Sequence, residues 1–347
     1  MKLRDFILRR ILLAIPVIFG VLTITWFLAY VIGDPVSIYI NENTPVGAIP
    51  AIRAAHGFDE PLHIQYFLYI SSLLQGDWGI SPSSSFRPVL EVLSVKFPAT
   101  IELSIVAMII AIILGIPLGI ISATRKDQKI DHFTRVFSLA GVSMPIFWFA
   151  LMLKYVFFYQ FTIAGPPLSL IALPGGERYN FTTFGSFDYI TGFLLIDSLL
   201  VGNIRLFVDA VLHLVMPGFC LGYLTLAIIT RMMRSSMLEV LKEDYITLAR
   251  SKGLTERIVI YRHALRNALI PTVTVIGLAF GSLITGAVLT ETIFNWPGLG
   301  RWAVRAIFWS DIAAITGFTL LVALVFVSAN LIVDLIYGVL DPRIRFG

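Results

Sequence analysis

The sequence predicts an all-α integral membrane protein built on six transmembrane helices, and three observations carry that prediction. Of the 347 residues, 57% are hydrophobic and only 14% charged, with a mean hydropathy of +0.85, outside the range of soluble domains. Six uncharged apolar runs, at 11–33, 103–124, 136–153, 211–230, 267–290 and 312–333, approach or exceed the roughly 20 residues that cross a hydrocarbon core. Those runs divide the rest of the chain so that the segments on one side hold eighteen of the 26 Lys and Arg residues. Short basic loops resist translocation, so that side reads as cytoplasmic and carries both termini, N-in and C-in. The longer outside segments hold only Arg53, Arg87, Lys96, Arg178, Arg205, Arg301 and Arg305, with Lys154 inside a span. The net charge of +4 and pI near 9.2 therefore reflect span flanks, and no nucleic-acid partner is expected.

Residues 1–33 form the N-terminus and first helix. Lys2, Arg4, Arg9 and Arg10 precede an apolar run too long for a signal-peptide core and without a convincing small-residue cleavage site before Gly33-Asp34-Pro35, so it reads as a retained anchor. Residues 34–98 make an external domain. Within it, Pro61 restarts an aromatic-rich amphipathic helix suited to the outer interface, where Tyr and Trp partition favourably. Residues 99–347 form a core of five helices. Its first two spans are 103–124 and the short run 136–153, expected to extend past Lys154, which snorkels, as far as Tyr159. The external loop 161–209 begins rich in Gly, Pro and Thr, includes the glycosylation sequon Asn180-Phe-Thr182, and ends in a short apolar helix at 190–202 interrupted by Asp197. In the later spans, Cys220 is the single cysteine, excluding an internal disulfide or multi-cysteine metal site. His213 and Asp334 lie close enough to a boundary to reach water. Pro117, Pro145, Pro217 and Pro271 each remove a backbone donor and bend or end a helix.

The loop at 231–268 carries the strongest pattern. Eight basic residues (Arg231, Arg234, Lys242, Arg250, Lys252, Arg257, Arg262 and Arg266) surround Gly253, which supplies a φ > 0 helix stop, and Thr255, which can N-cap the next helix. The pattern predicts two short helices bent around Gly253. In the second, Ile258, Tyr261 and Leu265 form an apolar stripe that faces a partner while Arg257, Arg262 and Arg266 stay wet.

The segment Glu243-Asp-Tyr-Ile-Thr-Leu-Ala-Arg-Ser-Lys-Gly-Leu254, followed by His263-Ala-Leu-Arg-Asn-Ala-Leu-Ile-Pro271, resembles the cytoplasmic coupling loop of dipeptide/oligopeptide-type ABC transporter permeases. Against the general permease motif Glu-Ala-Ala-x3-Gly-x9-Ile-x-Leu-Pro, Ala249, Gly253 and Leu265 fit, whereas Thr247, Leu248, His263 and Arg266 depart, as in the peptide-type variant. The resemblance extends through the external segment 57–80 and the turn Thr290-Glu-Thr-Ile-Phe-Asn-Trp-Pro-Gly-Leu-Gly-Arg301. It implies a type I ABC importer permease fold with external loop domains, in the cell (inner) membrane, resembling the B-type subunit. It also implies a second homologous permease subunit, two ATPase subunits and an extracytoplasmic solute-binding protein. The implied coupling residues are Glu243, Asp244, Tyr245, Ala249, Arg250, Gly253, Leu254, His263, Leu265 and Arg266. Ser143, Met144 and Pro145 read as a pathway-lining bend. In the outer turn, Pro297 and Gly298 permit the reversal and Trp296 anchors at the interface. Glu291 has two readings, contact with a substrate amine or docked binding protein, or a carboxylate paired locally.

No G-x-x-x-x-G-K-[ST] loop occurs, so ATP and Mg are expected on the partner ATPases and no cofactor in this chain. No nucleophile elbow or His-Glu-x-x-His helix occurs, and the five His are scattered, so this is not an enzyme. Permeases of this type also serve oligosaccharides and nickel. A stand-alone channel or secondary transporter would show paired intramembrane charges or inverted repeats, and the sequence has neither.

Overall fold

The computed structural model describes residues 3–32, 35–40 and 44–340, and the side chains within them except those of 3–11, 32, 37, 38 and 333–340. Lys2, Arg343, Arg345 and the Gly33-Asp34 pair lie outside the described residues, as do the side chains of Arg4, Arg9, Arg10 and Asp334. Six helices among the described residues are long and apolar enough to cross a membrane.

Helix α1 (Leu3–Trp26) runs into a π-helical turn at Phe27–Ile32 and exposes Leu12, Ile15, Phe19 and Ile24, the surface of a helix solvated by lipid. After α2 (Ile49–Ala55), Pro61 starts α3 (Leu62–Leu74), and Gln65 fixes that start by donating to the carbonyls of Phe58 and Glu60. A two-residue antiparallel pairing of β1 (Ile80–Ser81) with β2 (Arg87–Pro88) leads directly into α4 (Val89–Thr124), which therefore begins inside the segment read as external at 34–98.

The run at 136–153 is not one helix. It is split into α5 (Lys129–Ser143) and α6 (Ile146–Leu153), and α6 continues through a π-helical stretch, Lys154–Gln160, into α7 (Phe161–Ile163). Pro145 lacks an N–H and disfavours helical backbone on the residue before it; Met144 accordingly sits at ψ 132°. The third membrane-length helix is Ile146–Ile163. Lys154 does not snorkel: its Nζ donates to the carbonyl of Ile293 at 3.2 Å.

The next loop contains α8 (Phe181–Phe184) and α9 (Leu194–Leu200). Asn180 of the sequon N-caps α8, its Oδ1 accepting from the Thr183 N–H and the Thr182 hydroxyl. Asp197 is fully buried in α9 and accepts from the N–H groups of Ile190, Thr191 and Gly192 and from the Thr191 hydroxyl. Burial opposes the charge, but these donors hold the carboxyl below the usual range.

Helix α10 (Ile204–Val240) packs along α4, and the two form the core of the molecule. Two Gly-x-x-x-Gly steps make the approach possible. A Cβ on Gly119 would lie 2.6 Å from the Met233 Cβ and 2.8 Å from the Thr230 carbonyl; one on Gly222 would lie 2.5 Å from the Ala107 carbonyl. Gly115 and Gly218 sit one turn away on the same contact. After α10 come α11 (Asp244–Ser251), α12 (Glu256–Ile258), a π-helical turn Val259–Ala264, α13 (Leu265–Ile293), α14 (Leu299–Phe308) and α15 (Ile312–Leu340). One end of the bundle is closed by α11 and α12, here the loop end; the other by the turn from α13 to α14, here the hairpin end.

Candidate functional site

At the loop end, α11 stops where the sequence predicts. Gly253 takes φ +77°, and the N–H groups of Gly253 and Leu254 return to the carbonyls of Arg250 and Ala249. A Cβ on Gly253 would meet nothing within 4 Å, so the glycine is required by the turn and not by crowding. Thr255 occupies the N-cap position but its side chain makes no cap bond. The second helix is not short: α12, the π-turn and α13 form one membrane-length helix, Glu256–Ile293.

The loop is fixed to the helix ends by its small and apolar residues. Ile246, Ala249, Val259, Ala264 and Ala268 are buried in one cluster with Ile120 and Ala123 of α4 and Met233 and Met237 of α10, and Leu254 and Leu265 pack against it half-buried. Ala249 is therefore small for the sake of this internal contact and is not itself open to a partner. The Tyr245 hydroxyl accepts from the Asn267 amide at 2.7 Å, tying α11 to α13. Arg250 and Glu256 pair at 2.8 Å across the Gly253 turn, both largely exposed. Glu243 and Asp244 stand exposed at the start of α11, where the helix dipole favours acidic groups.

The outward side of this base is apolar and basic. Leu248 is 56% exposed, Tyr261 57% and Ile258 40%, while Lys252, Arg257, Arg262 and Arg266 are exposed around them and His263 is half-buried. The predicted stripe is thus divided: Ile258 and Tyr261 face outward and Leu265 faces the core. Arg234 has a different role from its neighbours. Its Nε and an Nη bind both oxygens of the buried Asp131, at 2.7 and 3.0 Å, and the same carboxylate accepts from the Ser122 hydroxyl and the Asp127 N–H. The Arg234 guanidinium above all, helped against burial by those two donors, holds the Asp131 carboxyl well below its usual range. One carboxylate thereby joins α4, α5 and α10 beside the loop.

The hairpin end is built from buried polar groups. Glu291 is fully buried, its oxygens accepting from the Thr100 hydroxyl at 2.6 Å and from the N–H groups of Gly300 and Arg301 at 2.7 and 3.1 Å. It thus caps the N-terminus of α14, and a Cβ on Gly298 would collide with its carboxylate. Trp296 does not sit at an interface as the turn's aromatic suggests. It is fully buried, its Nε1 donating to the Ala99 carbonyl at 2.9 Å, because the close turn folds it back against α4. Ser143 and Pro145 are exposed and Met144 half-buried at the break between α5 and α6; Ile146, just beyond, packs beside Cys220. The kink, the hairpin and the loop are three separate places.

Residues 115–346 match the family described as binding-protein-dependent transport system inner membrane component, and residues 3–104 match the corresponding N-terminal membrane-component family. The chain belongs to this family. The inner-membrane component is 45% identical over 346 residues to a dipeptide transport system permease protein of Escherichia coli, covering 98% of each chain. It is 44% identical over 344 residues to a di/tripeptide transport system permease protein of Pseudomonas aeruginosa, again 98% of each. To an oligopeptide transport system permease protein of Bacillus subtilis it is 34% identical over 342 residues, 98% of this chain and 99% of the relative.

Sequence reasoning about this inner-membrane component missed two groups. The Asp131–Arg234 clamp was hidden because both residues resemble ordinary basic-loop flanks, and their pairing spans 103 positions. The buried pair of Arg178 with Glu102 at 2.5 Å was hidden in the same way; its one local signal is a carboxylate at the edge of an apolar run.

Proposed function

We propose that this inner-membrane component is the permease subunit of an ATP-driven ABC importer of di- and oligopeptides and forms half of the translocation pathway. The peptide cargo is supported by three full-length relatives whose names specify dipeptides, di/tripeptides and oligopeptides. The loop end is the ATPase-docking face and lies in the cytoplasm, as the distribution of basic residues argues. Two ATPases, carrying ATP and Mg, a second permease of similar fold and an extracytoplasmic solute-binding protein complete the assembly. The segments 34–98 and 161–209 face the binding protein.

The observation that carries the coupling role is the mounting of the loop. An exposed apolar–basic surface around Gly253 is seated through Ile246, Ala249 and Val259 on the ends of the two helices that form the core. A push on that surface moves α4 and α10 directly. Partners shift such an equilibrium only by binding its two states unequally. The test is ATP-dependent peptide uptake by the reconstituted assembly with Gly253→Asp. At φ +77° an Asp costs about 1 kcal/mol, too little to unfold six helices, while its charge and bulk stand on the docking face. Uptake should vanish with the subunit still inserted and still assembled with its sister permease; undiminished uptake refutes the coupling role of this turn.

A further inference from the structure

The segments read as external carry thirteen acidic and seven basic residues when Glu102 and Glu291 are counted with them, so the hairpin side of the chain is acidic. Five of those seven cations nevertheless converge on two adjoining cavities. One, of about 360 Å³, is lined by Arg87, Lys96, Arg301 and Arg305 together with Ser84 and Trp302. The other, of about 340 Å³, is lined by Lys96 and Arg178 with Tyr189 and Thr191. Val95, Lys96 and Pro297 belong to both, so the cavities share a wall. Among the described residues, no Asp or Glu lines either one.

The nearby carboxylates are already engaged, two of them with Arg87 and Arg178 of this group, and leave Lys96, Arg301 and Arg305 without one. Glu291 accepts from the Thr100 hydroxyl and from the N–H groups of Gly300 and Arg301, Glu102 accepts from Arg178 and from the Leu195 N–H, and Glu91 pairs with Arg87 on the surface. Among the described residues, Lys96, Arg301 and Arg305 form no ion pair; Arg301 donates to the Asn295 carbonyl and Arg305 lies over the Trp309 ring. Arg178 is 5% exposed, and its Nε is buried without any hydrogen-bond partner although the residue lines the second cavity. Like charges gathered in a recess repel one another, and a buried guanidinium N–H without an acceptor is costly. An oxyanion lodged among these cations relieves the first penalty. A recess suits a compact anion better than it suits the flat face of a protein, and planar guanidinium groups favour a carboxylate or phosphate.

We propose that these adjoining cavities form an anion-binding vestibule at the outer mouth of the pathway, which receives the C-terminal carboxylate of the peptide cargo. This rests on the peptide reading of the permease. Lys96, in the shared wall, is the central contact, with Arg301 and Arg305 on one side and Arg178 on the other. The carboxylate is held as the peptide leaves its binding protein, before the peptide enters the helices.

The test is uptake by the complete transporter in proteoliposomes, comparing a dipeptide with its C-terminal amide for the native chain and for Lys96→Met and Arg305→Gln. Preference for the free acid by the binding protein is common to every variant and cancels in the ratio of acid to amide uptake. That ratio should fall about tenfold in each variant, the worth of one charge-assisted contact, and Arg305→Lys should restore most of it. Equal losses for acid and amide would reduce the cations to a structural role and overturn the vestibule. Losses that appear only in liposomes containing anionic phospholipid would assign the cations to lipid phosphates and also overturn it. Failure of the native transporter to take up either peptide form, with all subunits assembled, would overturn the peptide reading itself.

Discussion

The two ends of the bundle solve opposite problems. At the hairpin end, Glu102, Glu291 and Asp311 are buried with their oxygens occupied by donors from other elements; Asp311 alone joins Ser81 and Ser83 to the start of α15. At the loop end the buried residues are mostly aliphatic, one carboxylate excepted, and the surface presents Leu248, Ile258 and Tyr261 to the surroundings. A network of buried carboxylates has one satisfied geometry and is rigid, since a displaced acceptor leaves several groups unpaired. An aliphatic seat under an exposed apolar face is a surface waiting for cover. The difference teaches that the hairpin end is built to hold its shape, and it fits the force-transmitting role proposed for the loop end.

Substitutions at the hairpin end should therefore act on stability. Arg178→Met leaves Glu102 buried with only the Leu195 N–H, and breaking such a pair costs about 3–5 kcal/mol. The thermal midpoint of the detergent-solubilised protein should drop sharply, and adding Glu102→Leu should recover much of the loss because the stranded charge is gone. A midpoint unchanged in the single variant would mean that the pair does not secure this end.

The Asp131–Arg234 clamp is the exception at the loop end and has a pH signature. Asp131→Asn removes the charge from its bonds with Arg234, a loss of roughly 1.5–3 kcal/mol near neutral pH. The native carboxyl is held below its ordinary value of 3.8, so its contribution is complete above that value and disappears as pH falls through the folded one. Thermal midpoints of native and variant proteins should thus be well separated at pH 7 and should converge below pH 3.8. A constant gap across that range would contradict the clamp.

A smaller effect is expected midway between the ends. Gly119→Ala forces the α4–α10 contact apart and should cost about 1–3 kcal/mol, whereas Gly286→Ala, where a Cβ would meet nothing within 4 Å, should be nearly neutral. Equal midpoints for the two variants would show that the long helices do not depend on this close approach.

Much of this was legible in the chain. Hydropathy alone locates five of the six spans, and the αL stop at Gly253 follows from residue type. The extension of the third span past Lys154 holds, but its start was misplaced because a run of apolar residues reports solvent, not continuity; the extended backbone at Met144, one residue before Pro145, decides where the helix begins. The two Gly-x-x-x-Gly steps were visible at 115–119 and 218–222, but sequence does not say which glycines face a partner. Least legible were the burial of Trp296 and Glu291 and the ion pairs, because long-range pairing has no periodicity.

The sharpest division between the ends comes from side chains whose loss the fold should scarcely notice. Leu248 and Tyr261 are both more than half exposed, so Leu248→Ala and Tyr261→Ala should shift stability by no more than about 0.5 kcal/mol. An exposed aromatic beside an exposed aliphatic is the composition of an interface anchor, where truncation commonly costs about 2 kcal/mol or more of binding. Each variant should therefore melt like the native protein yet bind the ATPase subunits about thirtyfold more weakly in detergent, with ATP-driven uptake reduced accordingly. Should the melting fall while ATPase affinity holds, the loop would be a structural cap and the roles assigned to the two ends would be reversed. Unchanged melting with unchanged affinity would leave the Gly253 turn and its basic rim as the whole of the docking surface, and the comparison would then rest on charge, which 1 M salt would abolish by shortening the screening length to about 3 Å.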